Sequence, residues 1–170
     1  MHTPGRGAGA LRRFRTSLSD ASYFLTLCTA GRTPGLTQDN IPDRIRAEID
    51  SIESDGHWSQ RAGVIMTDHL HLLVQLTGEL PVHRCVARLK SKTRACLLEH
   101  GVSWQPNFYE HRIRVEDSVE DVVRYIFLNS HRDSSSENCA PYPWFWLGAD
   151  EQSWFTQRTD NGRPFPDWLR

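Results

Sequence analysis

The run Val64-Ile65-Met66-Thr67-Asp68-His69-Leu70-His71-Leu72-Leu73-Val74-Gln75-Leu76 constrains this chain more than any other stretch. It divides at the polar pair Thr67-Asp68, which reads as a tight turn between two strands. Beyond the turn the side chains alternate. Leu70, Leu72, Val74 and Leu76 fall on one face, and His69, His71, Leu73 and Gln75 on the other. The first face is a core face. The second opens with two imidazoles one pleat repeat apart, about 6–7 Å. Two neutral imidazoles so placed can close on one metal ion, each through a ring nitrogen. The pattern also describes two surface histidines at a sheet edge, so its meaning depends on partners elsewhere in the chain.

At 170 residues the chain is long enough for one domain with a real core, and a single domain over 1–170 is expected. No apolar run approaches the length of a membrane span, and Met1–Ala10 lacks the apolar stretch of a secretory signal. Cys28, Cys85, Cys96 and Cys139 are scattered and form no Cys-x-x-Cys pair, which argues against a structural zinc site or a disulfide framework. A cytoplasmic, reducing location fits, with no membrane partner. The net charge of −1 argues against a general polyanion binder. Its distribution is uneven. Residues 84–114 carry Arg84, Arg88, Lys90, Lys92, Arg94, Arg112 and Arg114 against Glu99 and Glu110, whereas residues 39–55 are acidic. A basic patch on a neutral body suits a localised phosphate-bearing ligand, and equally a solvated helix face.

Taken in order, residues 1–20 are rich in Gly and Arg and read as a mobile arm. Tyr23–Thr29 alternates as a strand. Ile41, Ile45, Ile49 and Ile52 recur at helical spacing behind Pro42, giving a helix over 40–54 that stops at Asp55-Gly56. The hairpin over about 59–76 follows. Val82, Cys85, Val86, Leu89, Cys96 and Leu97 predict a helix over 80–100, capped by Gly101. Phe108–Val115 reads as a further strand, with Tyr109 and His111 as packing residues. Ser118 and Asp121 open a third helix with Val119, Val122, Val123 and Ile126 on its buried side. Tyr125 and Asn129 lie on the flank of that face, one turn apart. Residues 141–170 hold Trp144, Trp146, Trp154 and Trp168 among four prolines and read as an irregular aromatic-rich extension. The order βαββαβ predicts an α+β, ferredoxin-like antiparallel sheet with two helices on one face. The histidine face is left for the third helix.

Three blocks in this order resemble the HUH single-strand transposases with one catalytic tyrosine, and most closely their REP-associated branch. The first is Met66-Thr67-Asp68-His69-Leu70-His71-Leu72-Leu73, two histidines flanking one hydrophobic residue near the start of a strand. The second is Phe108-Tyr109-Glu110-His111-Arg112-Ile113-Arg114. The third is Tyr125-Ile126-Phe127-Leu128-Asn129, similar to the family's Tyr-Ile-x-x-Asn. Tyr142-Pro143-Trp144 is similar to an aromatic patch that often follows, and the resemblance runs from about Tyr23 to Trp146. Two positions depart from it. Thr67-Asp68 replaces the usual Pro-Asn, and Ser130 replaces the usual Pro after the helix asparagine. Neither removes a reactive group, and Asp68 adds a carboxylate beside the histidines.

The resemblance implies a metal-dependent endonuclease and strand transferase. Mg²⁺ or Mn²⁺ would be held by His69, His71 and Asn129, and Tyr125 would be the nucleophile that forms a 5′-phosphotyrosine link. It implies single-stranded or hairpin DNA as partner and a monomer rather than a homodimer. A tyrosine with a pKa near 10 needs a neighbouring cation or proton acceptor, for which Arg112 and Arg132 are candidates. Lys90, Lys92, Arg112 and Arg114 are candidate DNA contacts. Competing classes fare less well. A histidine-triad hydrolase needs a third alternating histidine where this chain has Leu73, and the two-histidine phosphoesterases carry a second His-x-His that is missing. A catalytically silent, domesticated nucleic-acid-binding protein on the same fold would retain the sheet and lose the chemistry.

Overall fold

The computed structural model describes residues 20–132 and 142–154, plus the backbone of two short strands at Gln157–Arg158 and Pro164–Phe165. The arm over 1–19, residues 133–141 with Cys139, Trp168 and the side chains of Arg132 and Trp154 lie outside the described residues.

Five strands form one antiparallel sheet: β1 (Ser22–Cys28), β2 (Trp58–Ile65), β3 (His69–Leu76), β4 (Tyr109–Arg112) and β5 (Phe145–Leu147), in the order β4-β1-β3-β2-β5. The helices are α1 (Ile41–Ser54), α2 (Val82–Glu99) and α3 (Val119–Arg132). The first four strands have the expected βαββαβ plan. The fifth corrects the expectation for the tail: Phe145–Leu147 is a strand, paired with β2 through Ala62↔Leu147, Gly63↔Trp146 and Val64↔Phe145. Its cause is a set of contacts remote in sequence. The Tyr142 hydroxyl donates to the Ile65 carbonyl (2.7 Å), and the Ile65 N–H donates to the Trp144 carbonyl (3.0 Å). The Trp146 ring lies against Gly63, where any side chain would collide with it, and the Arg46 guanidinium covers that ring at 4.0 Å. The Arg61 side chain, beside a bulge in β2, donates to buried Glu151 (2.5 Å).

The alternation along β3 sorts the two faces as its sequence requires. Leu70, Leu72, Val74 and Leu76 are buried with Tyr23, Leu25 and Leu27 of β1 beneath α1 and α2. The stripe Ile41, Ile45, Ile49 and Ile52 is sealed against them. Leu73 belongs to the other face and packs with Ala62 and Val64 against Val123, Ile126 and Phe127 of α3. Ser118 caps α3 by accepting the Asp121 N–H (3.1 Å).

The basic and acidic segments meet. Arg88 of α2 binds Glu48 of α1 and Asp55 at its C-terminal cap, both at 2.6 Å. Part of the positive surplus of residues 84–114 therefore ties two helices together and is not offered to an outside ligand.

Candidate active site at the histidine face

The register of β1 on β3 builds the site. Thr26 pairs with His71 and Cys28 with His69, so the side chains of Phe24 and Thr26 rise on the histidine face. Phe24 stacks on His71, with ring centroids 5.3 Å apart. The two imidazoles stand edge to face at 4.6 Å. Tyr125, on the flank of α3, sets its ring 5.3 Å from His71 and 5.9 Å from Phe24. The phenol thus stands on the same side of the sheet as the histidine pair and within the same chain. Phe24, Thr26, Arg32, His69, His71, Tyr109, Tyr125 and Asn129 line one open cleft of about 560 Å³.

Each imidazole has one ring nitrogen occupied. The Nδ1 of His69 is 2.6 Å from the Asp68 carboxylate, an acceptor, so this nitrogen carries the proton. The Nδ1 of His71 is hydrogen-bonded to the Thr26 hydroxyl at 2.8 Å. That leaves Nε2 of both rings for another partner, the arrangement in which an outer hydrogen bond orients a metal-ligating imidazole. His71 is only 4 % exposed. Burial, with smaller contributions from the nearby His69 and Arg32, pulls its pKa down to about 3, against an opposing pull from Asp68. It is therefore neutral near pH 7, as a ligand must be.

Asn129 is 7 % exposed and sits one turn after Tyr125, whose carbonyl accepts its Nδ2–H at 2.7 Å. That bond assigns the amide nitrogen and leaves Oδ1 as the uncommitted end. Among the described residues no three His, Cys, Asp or Glu side chains are grouped to hold a metal ion. The Asn129 amide oxygen lies among the polar groups that line the cleft beside the pair. Two imidazole nitrogens with a carbonyl oxygen suit Mn²⁺ and are acceptable to Mg²⁺.

The basic candidates are scattered. Lys90 donates to the carbonyls of Gln105 (2.7 Å) and Asn107 (2.9 Å), and its partial burial pulls its pKa down to about 8. Lys92 is exposed on α2, in the layer across the sheet from the histidines. Arg112 pairs with Tyr23, whose ring belongs to the α1–α2 side, so Arg112 leaves β4 on that side too and is not the cation beside Tyr125. Arg114 is exposed just beyond the strand. Among the described residues, the cation that lines the cleft is Arg32, which sequence reasoning missed. Tyr109 was expected to pack; instead it is 58 % exposed and lines the cleft opposite Phe24, with ring centroids 6.2 Å apart. Its place on the histidine side was legible in the alternation of β4, but its exposure follows from β4 being an edge strand. His111, expected to pack as well, is part-exposed and bonds the Asp117 carboxylate at 2.9 Å.

Comparison with known proteins supplies the family and the fold. A Haemophilus influenzae protein named as a candidate REP-associated tyrosine transposase is 26 % identical over 140 residues, covering 72 % of this chain and 77 % of its own. A solved REP-associated tyrosine transposase bound to a REP hairpin superposes with a TM-score of 0.65 at 22 % identity, covering 77 % of this chain and 79 % of its own, and so shares the fold. The family model for IS200-like transposases matches residues 17–127, which include both histidines and Tyr125, and the chain belongs to that family.

Proposed function

We propose that the protein is a metal-dependent endonuclease and strand transferase for single-stranded DNA, acting through a 5′-phosphotyrosine intermediate on hairpin-bearing, REP-type DNA. The observation that carries this reading is the placement of the Tyr125 phenol against the His69–His71 pair in one cleft. His69 and His71 through Nε2, with Asn129 through Oδ1, would hold the Mg²⁺ or Mn²⁺ ion. When bound, such an ion supplies Lewis acidity toward a phosphate oxygen.

The rest of the chemistry belongs to the chain. Tyr125 is 42 % exposed, so a phosphodiester can approach its hydroxyl from solvent. The Tyr125 oxygen forms a bond to phosphorus in line with the P–O3′ bond that breaks. The phenolic proton passes to solvent, and the departing oxygen takes one up as a free 3′-hydroxyl. One phosphodiester is exchanged for another, so the reverse attack by a 3′-hydroxyl rejoins strands without an external energy source. Phe24 and Tyr109 offer aromatic faces to the bases beside the reacting phosphate. Tyr125, both histidines and Asn129 come from one chain, which favours a monomeric enzyme.

The test is a covalent one. The protein is incubated with a labelled single-stranded oligonucleotide carrying a hairpin, with Mn²⁺, and run on a denaturing gel. A protein–DNA adduct is expected that needs metal and is absent in Tyr125→Phe. No adduct from the wild type, with binding retained, would leave a catalytically silent DNA-binding domain.

A further inference from the structure

The loop after β1 is fastened to the turn that precedes His69. The N–H of Thr29 donates to the Asp68 carbonyl at 2.9 Å, and its hydroxyl lies between the Thr33 and Asp68 carbonyls, at 2.8 and 3.0 Å. The N–H groups of Gly35 and Leu36 donate to the Thr67 carbonyl, at 2.7 and 2.9 Å. Between these anchors the chain makes a short 3₁₀ turn in which Gly31 and Arg32 both have left-handed backbones, with φ of 63° and 56°. Arginine seldom adopts that conformation, and a residue held there against its preference is over-determined by its surroundings. The consequence is a fixed place for the Arg32 guanidinium. Its Nε donates to Asp68 Oδ2 at 3.0 Å, and one terminal nitrogen approaches the Cys28 sulfur at 2.8 Å. The other terminal nitrogen has no partner among the described residues. The side chain is half exposed at the edge of the cleft that holds Tyr125 and the histidines. Asp68 meanwhile accepts from His69 through its other oxygen, so a single carboxylate positions both the cation and the imidazole.

We propose that Arg32 is a catalytic residue of this site, donating to a non-bridging oxygen of the phosphate that Tyr125 attacks, and that Asp68 is its positioning residue. This rests on the nuclease reading above for its catalytic part. A guanidinium preset beside the cleft stabilises the charge that builds on the phosphate oxygens in the transition state without reorganising. It takes the role for which Arg112 is on the wrong side of the sheet.

Two measurements test it. Binding of a fluorescent hairpin-bearing single strand is titrated without metal across a salt series. Arg32→Gln is expected to weaken binding and to flatten the slope of log K against log salt by about 0.7, one phosphate contact on a single strand. Arg32→Lys is expected to keep the slope, and Arg44→Gln, an exposed charge on α1, to leave it unchanged. With Mn²⁺, single-turnover adduct formation is expected to fall about 100-fold in Arg32→Ala and to recover in part when millimolar guanidinium is added, a rescue that a merely structural arginine would not give. An Arg32→Gln slope equal to wild type, or a slow Arg32→Ala that guanidinium leaves slow, overturns the assignment while a Tyr125-dependent adduct keeps the nuclease reading. A wild type that binds this DNA but forms no adduct overturns the nuclease reading, and the slope then decides Arg32 as a phosphate contact alone. A wild type that does not bind the strand overturns both.

Discussion

On one face of the sheet, Leu25, Leu27, Leu70, Leu72 and Val74 are sealed beneath two helices. On the other, α3 covers Ala62, Val64 and Leu73 and stops there, leaving Phe24, Thr26, His69 and His71 around an open cleft. The same strands build both. Because side chains alternate, each strand supplies a dry face and a chemical face one residue out of step, and a single-residue slip in register would exchange them. The first face is made of uncharged groups that need no partner. The second also carries polar groups that each need one, and His69, His71 and Asn129 have a hydrogen bond at one end and an uncommitted atom at the other. A fold can fill the first face by burial alone. The second has to be aimed.

Adjacent residues on β3 give the widest separation of the two faces. His71→Ala is expected to drive adduct formation below detection while the protein stays folded, by thermal melting. Leu72→Ala is expected to do the reverse, costing about 3 kcal/mol in urea unfolding while the residual folded fraction still forms adduct. If both variants fail in the same assay, the division between the faces is wrong. Gly63→Ala probes the covering of the sheet edge: a methyl there meets the Trp146 ring, so a loss of about 1–3 kcal/mol is expected, with altered tryptophan fluorescence as β5 shifts. Asp68→Ala should weaken Mn²⁺ binding by about 10-fold or more, read by calorimetry without DNA, because it frees the His69 ring. The most gradual effect is on pH, because it is spread over several units. The folded pKa of His71 lies near 3 against about 6.5 unfolded. Between those values the unfolded chain binds the extra proton, so stability falls on acidification, by at most about 1.4 kcal/mol per pH unit. His71→Gln should flatten that dependence in melting curves taken from pH 7 to 4.

Much of the frame was readable from local pattern. The isoleucine stripe of α1, the alternation of β3 and the Ser118 cap depend on periods of 3.6 or 2 and on one side chain bonding the next turn, all short-range properties. The relation of Tyr125 to Asn129 was legible for the same reason, since i and i+4 always meet on a helix. The Phe145–Leu147 strand was not, because three residues carry too little alternation and its stability comes from Gly63 and Ile65, far back in the chain. Arg32 was hidden likewise. It lies in a loop without period, and the charge count drew attention instead to a segment where Arg88 and Lys90 are already engaged within the protein.

Sequence alone determined which side chains share a face: the leucines of β3 on one side, the two histidines on the other, and the tyrosine with its asparagine along one helix flank. Only the tertiary structure decided which of these faces meet. It brought the Tyr125 ring to His71, set the Asp68 carboxylate between Arg32 and His69, and turned Arg112 away. The reason is physical. A face is written in the covalent spacing of neighbouring residues, whereas a site is closed by pairings between residues distant along the chain, which no local spacing encodes.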